Sequence, residues 1–356
     1  MKIGQKIDTL LTPIPVVDED VMATNIARVQ AYFDEMDRDF RPHIKTHKLP
    51  SVAKLQIAAG ARGINCQKVS EAEVFAEEGF DDILITFNIM GSERLERLRA
   101  LNDTIKLRVV ADNEVVVDGL SAAFTGHEPL DVLVECDTGA KRNGVQTPDE
   151  AVALAMHIHE SGGLNFMGLM TYPPKSGGEP VAERFFTETM AKLAEKGIDC
   201  PIRTFGGSPS LFNAHLVPSA TEHRAGTYVY NDRSMVREGH CTFDDCAMNI
   251  LTTVVSRPTA DRAVIDAGSK TLTQDLIGFT DFGYIRGYPD ARIVSLSEEH
   301  GVIDLSACED KPEIGELLRV IPNHTCVVTN LFDRMVFHRD GMVTRIEDVA
   351  ARGTVW

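Results

Sequence analysis

Between about Asp18 and Asp232, short β-branched runs alternate eight times with longer stretches in which apolar residues recur at three and four. This alternation limits the possible folds more than any other feature of the chain. The strand candidates are Arg41 to Thr46, Gly63 to Gln67, Asp82 to Phe87, Leu107 to Ala111, Val132 to Cys136, Phe166 to Thr171, Ile202 to Phe205 and His223 to Val229. Helix-patterned segments such as Ser70 to Glu78 and Pro148 to His159 follow the first seven. Eight strand-helix units predict an α/β protein, a (β/α)8 TIM barrel over residues 18–237. After about Arg237 the rhythm changes to short strands such as Ile250 to Val255 and Ala263 to Asp266, broken by Gly, Pro and Asp turns. A second, mostly β domain is expected there, formed by residues 238–356 with residues 1–17, whose IPVV run precedes the first barrel helix.

A chain of 356 residues exceeds the usual single-core size, which agrees with two packed units. With 53 acidic against 36 basic residues the formal charge is -17, so a polyanion would be repelled and nucleic acid is set aside as a partner. No apolar run approaches the roughly 18 residues of a membrane span, and the first 18 residues contain no continuous apolar core of a secretory signal. The expectation is a cytoplasmic protein. Seven scattered cysteines without a CxxC pair argue against a disulfide framework or structural zinc module and read mostly as small core residues. Cys241 and Cys246 flank a short loop beside His240, but their spacing matches no familiar ligand pattern.

The segment RPHIKTHK is the most charged of the strand candidates. Strand alternation would put His43, Lys45 and His47 on one face, at the end of a barrel strand where active sites of such barrels lie. A buried lysine there would have a depressed pKa and would form Schiff bases readily. An exposed strand end with histidines satisfied by backbone groups fits the residue pattern equally well. The balance moves toward chemistry because TFGGSPS and HRAGTY end the seventh and eighth strands in small-residue turns, where barrel phosphate sites commonly lie. In TFGGSPS the backbone of Gly206 and Gly207 can approach a ligand, Ser208 supplies a hydroxyl, and a helix starting near Pro209 presents amides.

The motifs RPHIKTHK, ARGINCQKVSEAE, DVLVECDTGAKRNG, GLMTYP, TFGGSPS, HRAGTYVYND and PNHTCVVTNLFD run in order from residue 41 to 333. Together they resemble the fold-type III, alanine-racemase-like pyridoxal phosphate enzymes, in the D-threonine aldolase and D-serine dehydratase branch. The resemblance implies a barrel plus β domain, usually as a homodimer. It also implies that Lys45 binds pyridoxal 5'-phosphate and handles the Cα proton. Gln67, Arg142 and Tyr172 would surround the cofactor ring, and Gly206, Gly207, Ser208, Gly226 and Thr227 would hold its phosphate. Arg224 matches the racemase position that faces the pyridine nitrogen, an assignment this branch does not always keep.

Racemases of the wider group use a second base from the β domain and no metal, whereas this chain carries His324-Thr325-Cys326 in its tail. In an extended segment both ligands would project to one side and grip a cation. Alone, an HxC is more often incidental; in this branch's motif it implies a catalytic divalent ion, with zinc fitting imidazole plus thiolate better than manganese or magnesium. Two reactions on a small D-amino acid are then open. Dehydration of D-serine, D-threonine or 3-hydroxy-D-aspartate gives a keto acid and ammonia; retro-aldol cleavage gives glycine and an aldehyde, with a barrel histidine, His43 or His47, as base. Family aldolases tend to carry His-x-Asp and dehydratases His-x-Cys, so the cysteine favours dehydration. A non-catalytic pyridoxal phosphate carrier is a third reading, disfavoured because such proteins usually consist of the barrel alone.

Overall fold

The computed structural model describes residues 1–174 and 177–356 and divides into two compact units. One comprises Val29–Lys45, Pro50–Gly226 and Thr354–Trp356; the other comprises Met1–Arg28, Thr46–Leu49 and Thr227–Gly353.

The first unit contains eight parallel strands in the spatial order Ile64–Cys66, Asp82–Ile85, Lys106–Ala111, Leu130–Cys136, Leu164–Thr171, Ile202–Phe205, Glu222–His223 and Asp39–Phe40. A parallel bridge between His43 and Asn65, with Asn65 N–H donating to the Pro42 carbonyl at 2.9 Å, joins the two ends of this order and closes the barrel. Helices follow the strands where amphipathic runs were predicted. Pro148–Glu160 starts at a capping box in which Glu150 N–H donates to Thr147 Oγ1 at 3.2 Å and Thr147 N–H to Glu150 Oε2 at 3.2 Å.

Period-two alternation layers the strand side chains. Arg41, Asp82, Arg108 and Glu222 form a buried ionic layer: Arg41 reaches Asp82 Oδ1 at 2.7 Å and Glu222 Oε2 at 2.8 Å, and Arg108 reaches Asp82 Oδ1 at 2.8 Å. Leu84 and Val110, two residues past Asp82 and Arg108, pack with Leu133 and Met170 of the neighbouring strands as an apolar layer, each such burial contributing roughly 1.5–3 kcal/mol. Glu135, two residues past Leu133, and Arg224, just after Glu222–His223, lie at the strand ends where function is expected.

Two expected strands are shorter than their sequences suggest. The first pairs only at Asp39–Phe40 and at the His43 bridge, and Ile44–Thr46 curls into a 3-10 turn. Pro42 has no N–H to give a ladder, so the run cannot continue as a regular strand. The last pairs only at Glu222–His223, and Thr227–Val229 is again a 3-10 turn.

In the second unit, Ile14–Asp18 lies between Met248–Thr259, antiparallel, and Arg334–Arg339, parallel, so the N-terminal IPVV belongs to the tail's sheet. The remaining strand pairs of this nine-stranded sheet are antiparallel. Ile7, Leu10, Ile14, Val16, Leu251, Val336 and Val343 form one of its cores.

Candidate active site

Lys45 sits in the Ile44–Thr46 turn, not on a regular strand, so the expected alternation of His43, Lys45 and His47 along one face does not occur. A side-chain network replaces it. Gln67 Nε2 donates to the Thr86 carbonyl at 2.8 Å, leaving Oε1 to accept from His43 Nε2 at 3.1 Å. That arrangement puts the His43 proton on Nε2 and lets Nδ1 accept a long bond from the Lys45 backbone N–H at 3.4 Å. His43 thus braces the turn carrying Lys45. His47 belongs to the other unit, fully buried, where its Nδ1 accepts from Leu49 N–H at 3.1 Å.

The phosphate turns fold as tight approaches. Gly206 has φ +98°, and a Cβ there would overlap the His223 ring, itself stacked against Phe33 and packed edge-on against Phe205. Gly207 has extended backbone, but a Cβ would press on the Tyr172 ring. The Gly206 amide is committed to the Thr171 carbonyl at 3.1 Å, so its contribution is conformational. Gly207 N–H donates to Ser210 Oγ at 3.2 Å and Gly226 N–H to Ser208 Oγ at 3.3 Å. These long bonds are exchangeable for phosphate oxygens. Thr227 is grouped with the second unit, its hydroxyl 3.8 Å from Cys326 Sγ.

Around the expected ring position, the Arg142 guanidinium lies over the Tyr172 ring at 4.8 Å, and its Nη2 donates to Glu135 Oε1 at 3.4 Å. Burial pushes the Glu135 carboxyl above the usual range, opposed by the charges of Arg142 and Arg224. Its Oε2 is buried and has no hydrogen-bond partner among the described residues. Arg224 donates to Thr204 Oγ1 at 2.9 Å and the Thr171 carbonyl at 2.7 Å, and burial lowers it to about 10. A lysine presented from a short turn, glycine turns without room for a side chain and an arginine stacked on tyrosine fit an anionic aromatic cofactor such as pyridoxal phosphate.

In the second unit, His324 and Cys326 come together, though not along an extended segment. His324 caps the short helix Thr325–Thr329, which contains Cys326. Asp232, fully buried, organises the cluster: Oδ2 accepts from Thr325 N–H at 3.0 Å and faces His324 Nδ1 at 3.3 Å. Cys326 Sγ lies 3.1 Å from Thr46 Oγ1. The charge of Cys326, reinforced by Asp232, holds the His324 imidazolium up to about 11 against the opposing effect of burial. Such a field attracts positive charge, so imidazole and thiolate backed by a carboxylate fit a divalent cation. Among the described residues no group of three or more His, Cys, Asp or Glu is placed to hold a metal ion, so the candidate ligands are the pair His324 and Cys326.

A family model described as "Alanine racemase, N-terminal domain" matches residues 17–234, more than half of the chain. The chain belongs to this family. A second model, "Putative serine dehydratase domain", matches residues 247–338 of this alanine-racemase-family chain. Among curated relatives, the D-threonine aldolase of an Arthrobacter species is 34% identical over 98% of this chain and 95% of its own length. The D-threo-3-hydroxyaspartate dehydratase of Delftia sp. (strain HT23) is 32% identical over 90% of this chain and 92% of its own. The crystal structure of D-threonine aldolase from Filomicrobium marinum superposes with a TM-score of 0.91 at 29% identity, covering 100% of both chains. The Delftia dehydratase is also solved as a metal-free Cys→Ala variant (TM-score 0.88, 28% identity, 97% of this chain and 99% of that one), and as a His→Ala variant at a position two residues earlier.

Glu135 and Asp232 are the polar residues that sequence reasoning passed over. Glu135 had a signal, a lone carboxylate in the otherwise apolar run VLVEC. Asp232 had none, because its partners Thr325 and His324 are more than ninety residues away.

Proposed function

We propose that this chain is a pyridoxal-phosphate-dependent, divalent-metal-assisted lyase. It would act on a β-hydroxy-D-amino acid, D-serine, D-threonine or 3-hydroxy-D-aspartate, removing the β-hydroxyl to give a keto acid and ammonia. The observation that carries this reading is the His324–Cys326 pair backed by Asp232. Its spacing is that of the histidine and cysteine replaced in the solved dehydratase, whose cysteine variant is metal-free.

When bound, pyridoxal phosphate would supply an electron sink for charge developing at Cα. Lys45 holds the cofactor and moves the Cα proton, while His43 and Gln67 fix the turn that carries it. Arg142 and Tyr172 flank the ring, Glu135 restrains Arg142, and the amides of Gly207 and Gly226 with the Ser208 and Thr227 hydroxyls hold the phosphate. A divalent ion, zinc by donor softness, would supply Lewis acidity at the β-oxygen. His324 and Cys326 hold that ion, and Asp232 sets the imidazole's orientation. With His47 buried and bonded to Leu49, no unengaged base is added from that position for a retro-aldol step. Assembly as a homodimer in the cytoplasm belongs to the same reading and rests on the family resemblance.

Retro-aldol cleavage is the second reading, favoured by the 34% identity to a D-threonine aldolase. Incubating metal-loaded holoenzyme with a panel of D- and L-β-hydroxy amino acids separates the two. Keto acid with ammonia is expected from D substrates; glycine with an aldehyde would replace the dehydratase by the aldolase, and neither product would leave only a cofactor carrier.

A further inference from the structure

The segment Cys241-Thr-Phe-Asp-Asp-Cys246 folds into one closed turn that the lyase reading does not use. Thr242 and Asp245 cap it: Thr242 N–H and Oγ1 donate to Asp245 Oδ2 at 2.7 and 2.9 Å. Cys246 N–H returns to the Phe243 carbonyl at 3.1 Å, and Cys246 Sγ donates to the Thr242 carbonyl at 3.7 Å, so this thiol points back toward the start of the turn. That carbonyl belongs to the residue next to Cys241, so the turn brings the two cysteines to the same end. The turn cannot easily spread, because Asn25 and Asn231 donate to the Asp245 carbonyl at 2.8 and 3.1 Å, Arg286 holds the Cys246 carbonyl at 3.2 Å, and Phe243 stacks on Tyr284 at 3.7 Å.

We propose that Cys241 and Cys246 are a dithiol modification site that forms a reversible disulfide by exchange with a small-molecule disulfide. Two cysteines brought to one end of a pinned turn meet the requirement that a bridge form with little backbone movement. Cys241 is half-buried and Cys246 buried, which orders the steps. The Cys241 thiolate attacks one sulfur of the small disulfide, forming a mixed disulfide and expelling one small thiolate. The Cys246 thiolate then attacks the Cys241 sulfur and expels the second. The two cysteine protons pass to the two leaving thiolates, so the protein loses two electrons and two protons and one small disulfide becomes two thiols. The neighbouring Cys241 and burial push the Cys246 thiol up, which agrees with its reacting second.

The test uses the full-length reduced protein and 2-hydroxyethyl disulfide, followed by removal of the reagent, alkylation in denaturant and trypsin digestion. Residues 238–262 form one tryptic peptide, since Arg257 precedes proline, and it contains both cysteines and no other. The expected result is an unalkylated peptide two hydrogens lighter than its reduced form, restored by dithiothreitol. In Cys246→Ser, Cys241 should instead retain the small thiol as a stable adduct. If that variant does not fold, Cys241→Ser, at the more exposed position, should leave Cys246 fully alkylatable. Two alkylated cysteines in the treated wild type, or a stable adduct on Cys241 beside an alkylated Cys246, would overturn the proposal.

Discussion

Lys45 and Asp232 have separable jobs, and single replacements distinguish them. Lys45→Ala should abolish the visible absorbance of lysine-bound cofactor and lower kcat by about 10²–10⁴-fold, the range for losing a positioned proton-transfer group. Turnover within tenfold of wild type would take Lys45 out of the chemistry. Asp232→Asn keeps one oxygen to accept from Met235 N–H, but puts an amide NH2 where Oδ2 accepts from Thr325 N–H and removes the charge facing His324. Divalent-ion affinity, measured by chelator competition, should fall about 10–100-fold while the cofactor absorbance is unchanged. Equal affinity would mean that Asp232 serves only as the cap of the helix Arg233–Arg237.

At the scale of elements, the barrel strands end in turns that a strand pattern does not disclose. The run from Arg41 to Thr46 looks like a strand because its residues alternate, but Pro42 interrupts the ladder and Lys45 is presented from a 3-10 turn. The glycine turn after Ile202–Phe205 was legible in sequence, since paired glycines before Ser and Pro announce a close backbone approach. Its physical cause was not, because the His223 ring that excludes a side chain at Gly206 comes from the next strand. Gly206→Ala should cost about 1–3 kcal/mol, from a left-handed φ imposed on alanine plus displacement of His223. Urea unfolding measures this, and a stability within 0.5 kcal/mol of wild type, the range of an ordinary surface change, would show that the turn relaxes freely.

For the whole molecule, the barrel unit is tied at its ionic layer by charges buried together. Arg41 is 2% exposed, and its replacement by methionine leaves Asp82 and Glu222 facing each other's charge without it, at a cost of about 3–5 kcal/mol in thermal or denaturant unfolding. A loss below 1 kcal/mol would show that Arg108 compensates alone. Burial raises the Asp82 carboxyl, but Arg41 and Arg108 together outweigh it and hold its pKa below the usual value. The folded pKa lies below the unfolded one, so this stabilisation is fully present above the unfolded carboxylate value and is lost as pH falls through the folded value. Acid unfolding of wild type should therefore be steeper than that of Asp82→Asn, followed by circular dichroism below about pH 4, near the free carboxylate pKa; parallel curves would remove Asp82 from the acid limb.

Hydrophobic periodicity by itself determined that eight strands and their helices form a barrel and that a strand-rich segment follows, because period two and period three-to-four patterns are local properties of the chain. Residue type and the ordered motifs, through the family resemblance they carry, marked Lys45, the glycine turns and the HxC pair. Only the tertiary structure decided that Glu135 meets Arg142, that Asp232 stands behind His324, and that Ile14–Asp18 pairs antiparallel with Met248–Thr259 and parallel with Arg334–Arg339. Those contacts join segments distant in sequence, and their energies come from burial and paired charge, which exist only once the chain has closed on itself.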